Sequence, residues 1–148
     1  EGKEFKLPAK ERYDIIHQNY ISISDYVGRM NRYTSIEASS LVENNYSFII
    51  TDLIRKPAGE FLSRFFAQEG YKDGLHGFTL SILQAFSFFI TYLKTWELSG
   101  FNEQEINLGE LKKTVKEKTK EGRFWLFKIF TEHETGIKKT VFKFLKRI

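Results

Sequence analysis

The side chains able to bind or transfer charge are few. Three histidines, His17, His76 and His133, each offer an imidazole that binds metal or exchanges protons near neutral pH. Arg32, Arg55, Lys56 and Arg64 are the basic side chains placed to meet phosphate or carboxylate, a guanidinium by two parallel hydrogen bonds and an ammonium as a point charge. The plain alternative for all four is a solvated helix surface, and nothing in their spacing excludes it. The patterns that concentrate chemistry are missing. The chain has no Asp-x-Asp pair, no glycine-rich phosphate loop, no His-Glu-x-x-His and no Gly-x-Ser-x-Gly. It has no cysteine, which removes disulfides and thiolate metal sites. No active site is visible from the residues alone.

The elements that position these side chains centre on Lys56 to Trp96, which reads as two helices joined by a tight turn. In the first, Leu53, Ile54, Pro57, Phe61, Leu62 and Phe65 recur at helical spacing, with Arg55, Lys56, Glu60 and Arg64 between them. Gly70 is the expected stop, Asp73 the expected N-cap, and Gly74 and Gly77 the residues permitting close approach. The second helix carries no Asp, Glu, Lys or Arg from Gly74 to Leu93. That length approaches a membrane span of ~20 apolar residues. Gln84, Ser87 and Thr91 interrupt it on one stripe, which a lone span facing lipid all round would not keep. The helix is thus expected to bury against a partner, to lie in a membrane interface or re-enter it, or, least favoured by the stripe, to span the membrane.

This stretch resembles the C-terminal region of bacterial family 2 glycosyltransferases of the GT-A type, especially lipopolysaccharide-core and polysaccharide sugar transferases. The resemblance rests on Lys56-Pro57, Phe61 and Arg64-Phe65-Phe66, on Gly70-Tyr71-Lys72-Asp73-Gly74-Leu75-His76-Gly77-Phe78, and on Lys94-Thr95-Trp96-Glu97. Upstream it includes His17-Gln18-Asn19-Tyr20, Asn31-Arg32-Tyr33 and Ala38, so that it covers roughly residues 12–98. It implies a parent enzyme that moves a sugar from a nucleotide-sugar donor to a cell-envelope glycan or lipid acceptor, with Mn²⁺ or Mg²⁺. The catalytic part would lie largely outside this chain, which alone is expected to be inactive. On the same resemblance His17 sits beside the diphosphate-bound metal, and Arg32, Arg55, Lys56 and Arg64 are substrate- or phosphate-binding. The implied location is cytoplasmic, peripheral on the inner face of the cytoplasmic membrane. The alternative is a non-catalytic helical module that binds an anionic membrane surface or a partner helix. Nucleic acid is not an expected partner, and the oligomeric state is open.

The rest of the chain fits a mainly α fold in three parts. Residues 1–21 would end a truncated catalytic domain, with an extended or β segment at 13–20. Residues 22–100 would form the helical region containing the hairpin. Residues 101–148 would form a basic aromatic tail. Ser22-Ile23-Ser24-Asp25 is a helix-start signal, and Asn44-Asn45 a stop. Tyr26, Val27, Met30, Tyr33, Ile36, Ala38 and Leu41 suggest a helix between them, to about Glu43. The next helix is expected from about Ser47, kinked or restarted at Pro57. Asn102 and Glu105 suggest a further start, with a helix to about Lys120, Gly122 as a break, an aromatic patch Phe124–Phe130, and His133 in a polar loop. The net charge of +4 is unevenly spread: residues 110–148 carry 12 Lys/Arg against 5 Glu, +7, and residues 1–109 carry 11 against 14 acids, −3. A basic end interleaved with aromatics suits anionic headgroups.

Overall fold

The computed structural model describes residues 21–133, with side chains to Thr131. The expected strand at 13–20, His17 and the basic segment 138–147 lie outside the described residues. Among the described residues there are four α-helices and no strand: α1 Ile23–Glu43, α2 Asp52–Leu62, α3 Gly74–Leu98 and α4 Leu108–His133. The mainly α class is as expected.

Helix α1 starts and stops where its sequence signals fall. Ser22 is extended, and its Oγ accepts from the Asp25 N–H at 3.1 Å. Asp25 also pairs with Arg29 one turn on, at 3.1 Å. At the far end the Asn44 side chain donates to the Ser40 carbonyl, and Asn45 takes a left-handed φ of 57° that asparagine tolerates better than most residues. The buried stripe is Tyr26, Met30, Thr34 and Ala38. Val27, Tyr33 and Ile36 of the same helix are exposed.

Helix α2 begins at Asp52, not near Ser47, because residues 46–50 form a turn tied down from two directions. The Asp52 carboxylate accepts from the Ile49 N–H and the Tyr46 hydroxyl, and Gln104 pairs with the Phe48 carbonyl and the Ile50 N–H. Helix α2 runs through Pro57 without a restart. It then widens into a π-helical turn at Ser63–Ala67. Helix α4 also departs from expectation. It starts at Leu108, since Asn107 Oδ1 accepts from the N–H groups of Gly109 and Glu110 at 3.0 and 3.2 Å. The Asn102 carbonyl instead accepts from Trp96 Nε1 at 2.9 Å. Gly122 does not break α4. It lies where α4 crosses α2, and a Cβ added there would stand 3.7 Å from Leu62. His133 is the last residue of that helix and does not sit in a loop.

The helices pack in a single row. Helix α3 lies between α1 and α2, and α4 packs on the other side of α2; no substantial contact joins α1 to α2 or to α4. A one-layer row cannot enclose a large core. Among the described residues seven apolar ones are buried (Tyr26, Met30, Ala38, Phe48, Leu62, Phe66 and Tyr92), and the buried polar residues are as many, most of them Thr. The row therefore leaves wide apolar surface uncovered, far more than isolated surface leucines explain.

Candidate functional site

The turn between α2 and α3 is built from glycine for reasons the geometry makes explicit. Glu69 is left-handed at φ 59°, and Gly70–Asp73 makes one 3-10 turn. Gly74 has φ 59° and ψ −134°, a region that side chains avoid. Gly77 is buried, and a Cβ there would fall 1.9 Å from the Gly70 carbonyl oxygen. A Cβ on Gly70 would meet the Arg64 carbonyl at 2.8 Å. The two chains thus touch backbone to backbone, and the elbow closes only with hydrogen at positions 70 and 77. Asp73 occupies the N-cap position, but its side chain makes no capping bond. The turn residues hold the hairpin by shape, without a capping carboxylate.

Beyond the elbow the two helices are zipped by aromatic rings. Phe61 and Phe65 stack at 5.4 Å, and both meet Phe78 edge-on at 6.1 and 5.5 Å. The hairpin expected from the sequence is therefore real.

Helix α3 presents two unlike faces. Gly77, Ser81, Thr91, Tyr92 and Thr95 are buried. Gln84 lies on the same side and accepts from the Tyr26 hydroxyl of α1 at 3.2 Å. The Ser and Thr hydroxyls on this face donate back to their own helix: Ser81 to Gly77, Thr91 to Ser87 and Thr95 to Thr91. With those groups satisfied internally, the small residues Thr34 and Ala38 of α1 pack closely against α3. Leu75, Phe78, Ile82 and Phe86 are exposed, with Phe89 half-buried beside them. At ~100° per residue their stripe lies roughly 140° around the helix from the Ser/Thr face. One stripe of small polar residues is turned toward protein and one apolar stripe outward, while Leu80, Leu83, Phe88, Ile90 and Leu93 are half-buried between them.

By length and composition Gly70–Leu98 is sufficient to cross a membrane, yet only 17% of its apolar window is buried.

Lys94 is the first charge after the uncharged run. Its Nζ donates to α1 at the Asn31 carbonyl (2.7 Å), Asn31 Oδ1 (2.8 Å), Thr34 Oγ1 (2.9 Å) and Ser35 Oγ (2.8 Å). Four oxygens share three N–H donors, so the ammonium is fully satisfied within the protein. In the sequence Lys94 and Asn31 stand out only as residues carrying the resemblance, with no role; the Asn31-x-x-Thr34-Ser35 cluster becomes a receptor once α1 and α3 are side by side.

The four basic residues expected to bind phosphate each contact neighbouring side chains. Arg32 stacks over the neighbouring Tyr33 ring at 5.3 Å. Arg55 donates to Thr51 Oγ1 at 3.2 Å. Arg64 pairs with Glu60 one turn back. Lys56 lies over two rings, Tyr46 at 5.8 Å and Tyr92 at 5.3 Å. Beside it Asp52, 1% exposed, accepts from Tyr46. Burial and this carboxylate push the Tyr46 phenol well above its ordinary range, so it stays a donor. Each cation thus has a partner from its own chain. Of the other histidines, His76 is exposed in the first turn of α3. Among the described residues no group of His, Asp or Glu is placed to hold a metal ion.

Comparison with protein families, with characterised proteins and with solved structures finds no match to this chain.

Proposed function

We propose that this chain is a membrane-docking helical region in which α3 lies in the bilayer interface, its apolar stripe toward the acyl chains and its Ser/Thr face on α1. One observation carries this: the exposed line Leu75, Phe78, Ile82 and Phe86 opposite a buried Ser/Thr face. A flat orientation follows from α1. That helix carries Asp25, Arg29, Arg32 and Glu37 beside α3. Were α3 to cross the membrane, α1 would bring them into hydrocarbon at ~2.5–3.5 kcal/mol for each deeply placed charge. Lying in the interface, α1 keeps its charges in water or among headgroups. The basic balance of residues 110–148 adds attraction to an anionic surface, on the order of 1 kcal/mol per nearby Lys or Arg.

On the resemblance of its residues to family 2 glycosyltransferases, this docking region would belong to an enzyme moving a sugar from a nucleotide-sugar onto a cell-envelope acceptor at the cytoplasmic face of the membrane. The metal and the catalytic carboxylates would then come from the enzyme's other part. Two experiments separate the claims. Residues 1–148 should float with phosphatidylglycerol-containing vesicles and lose flotation as Leu75→Ser/Ile82→Ser/Phe86→Ser; equal flotation of the variant refutes docking through α3. An Asp-x-Asp-bearing α/β domain encoded in frame upstream supports the enzyme assignment, and an unrelated reading frame there removes it.

A further inference from the structure

A cleft of about 360 Å³ lies between α1 and α3. Small-molecule sites span about 300–1,000 Å³ and pair apolar walls with a few polar groups. Ile36, Leu41 and Phe88 supply apolar wall here, and Glu37, Gln84 and Ser87 supply polar groups. None of the lining residues belongs to the exposed stripe Leu75, Phe78, Ile82 and Phe86, so the cleft is separate from the proposed docking face.

The polar groups of the cleft are unengaged. Glu37 is the one charged residue of the lining, which holds no Lys, Arg or His. Among the described residues Glu37 forms no ion pair. Gln84 uses its Oε1 toward Tyr26 and keeps its two N–H donors free. The Ser87 carbonyl accepts from Thr91, while the Ser87 hydroxyl has no protein partner among the described residues. The hydroxyls of Thr34 and Thr91, also in the lining, donate to their own helices. A phosphate or carboxylate head would meet the Glu37 charge with no cation in the lining to offset it, which disfavours anions. The same two helices already hold an ammonium: Thr34 borders the cleft and is also one of the residues whose oxygens surround Lys94 Nζ. That cation comes from α3 itself, and Glu37, a full carboxylate, has none. A ligand that answers this lining brings an ammonium to Glu37, a polar contact to Ser87 or Gln84, and an apolar body to Ile36, Leu41 and Phe88. We infer that the cleft between α1 and α3 binds a small organic ammonium compound with an apolar body.

Three probes with one indole body and different heads test the inference: tryptamine (cationic), tryptophol (neutral) and indole-3-propionate (anionic). In calorimetric titration of residues 1–148, tryptamine should bind saturably and at least about threefold tighter than tryptophol, the scale of a partly exposed ion pair. Indole-3-propionate should be the weakest of the three. Glu37→Gln should bring tryptamine to the affinity of tryptophol. Glu43→Gln, on the same helix but outside the lining, should leave the preference intact. Glu37 is exposed, so its substitution should preserve the far-ultraviolet circular dichroism of the fold. Absence of saturable tryptamine binding, equal affinity for the three heads, or a preference that survives Glu37→Gln overturns the inference. So does a dimer that tryptamine and Glu37→Gln both dissociate, which would assign the carboxylate to a lysine or arginine of a second copy. Vesicle flotation does not enter these outcomes, so failure here leaves the docking proposal standing, and the reverse holds as well.

Discussion

Three glycine-to-alanine substitutions should change stability in different directions, and the structure sets their order. At Gly77 the new methyl carbon would stand 1.9 Å from the Gly70 oxygen and 2.8 Å from the Gly70 carbonyl carbon. Ordinary contact begins near 3.4 Å, so the elbow must open by more than an ångström, and the obstacle is backbone that no rotamer change can move. Overpacking typically costs about 1–3 kcal/mol when side chains yield; a fixed carbonyl puts Gly77→Ala at the upper end, about 3 kcal/mol or more. At Gly74 space is free, but φ is 59° and ψ −134°, so alanine should cost about 1–3 kcal/mol from backbone strain alone. Gly28 lies inside α1, exposed, with no tertiary neighbour within 4 Å, and alanine there should stabilise by about 0.5–1 kcal/mol. Urea unfolding followed by circular dichroism measures all three. A Gly77→Ala protein within about 0.5 kcal/mol of the parent, or one less affected than Gly74→Ala, would refute the close backbone approach on which the hairpin geometry depends.

Other consequences are open to measurement. Lys94→Met removes a charge held by four oxygens of α1 and should cost about 1–3 kcal/mol, discounted toward the low end because part of the cluster is exposed; hydrogen exchange should then speed up in α1 before α2, and uniform acceleration would count against a local lock. Tyr46 keeps its proton in the folded state to higher pH than in the unfolded chain, so the stability it contributes is complete below about pH 10 and declines as alkalinity rises above that. Tyr46→Phe should flatten that alkaline decline; an unchanged slope would show that another group carries it. Gly122→Leu should drive a side chain toward Leu62, prise α4 from α2 and weaken the stacking of Trp125 on Phe66, seen as a red-shifted Trp emission; an unshifted spectrum would argue against that crossing.

What the sequence made legible was local. The Ser22–Asp25 start and the Asn44-Asn45 stop placed α1 because each works through bonds spanning three or four residues. The uncharged run from Gly74 marked α3, and the glycines of the elbow marked the hairpin, although Asp73 fills its cap position without capping. The start of α4 was misplaced because Asn102-x-x-Glu105 and Asn107-x-x-Glu110 carry the same signal, and tertiary bonds to Trp96 and Phe48 decide between them. Pro57 and Gly122 were read as breaks by intrinsic preference; packing of α2 against α3 and α4 overrides it. Which residues of α1 face inward was not legible: hydrophobicity alone points as much to Val27, Tyr33 and Ile36 as to the buried stripe Tyr26, Met30, Thr34 and Ala38, and the polar residues on the facing side of α3 admit Thr34 there. The Gln84–Ser87–Thr91 stripe was visible from spacing alone, and which way it points emerged only with α1 in place. The four basic residues have neighbours that residue type alone does not reveal: Tyr33, Thr51, Tyr46, Tyr92 and Glu60 engage them one by one.

The orientation of α3 can be read position by position. Because the chain lacks cysteine, single nitroxide-labelled cysteines along the helix on phosphatidylglycerol vesicles report oxygen against nickel-chelate accessibility at each site. Positions 75, 82 and 86 should be immersed in hydrocarbon at one shallow depth, and 81, 84 and 91 should be shielded from both reagents. A depth that increases steadily from 75 to 93, or an apolar stripe left fully open to the aqueous chelate, would contradict an interfacial helix with its polar face on protein.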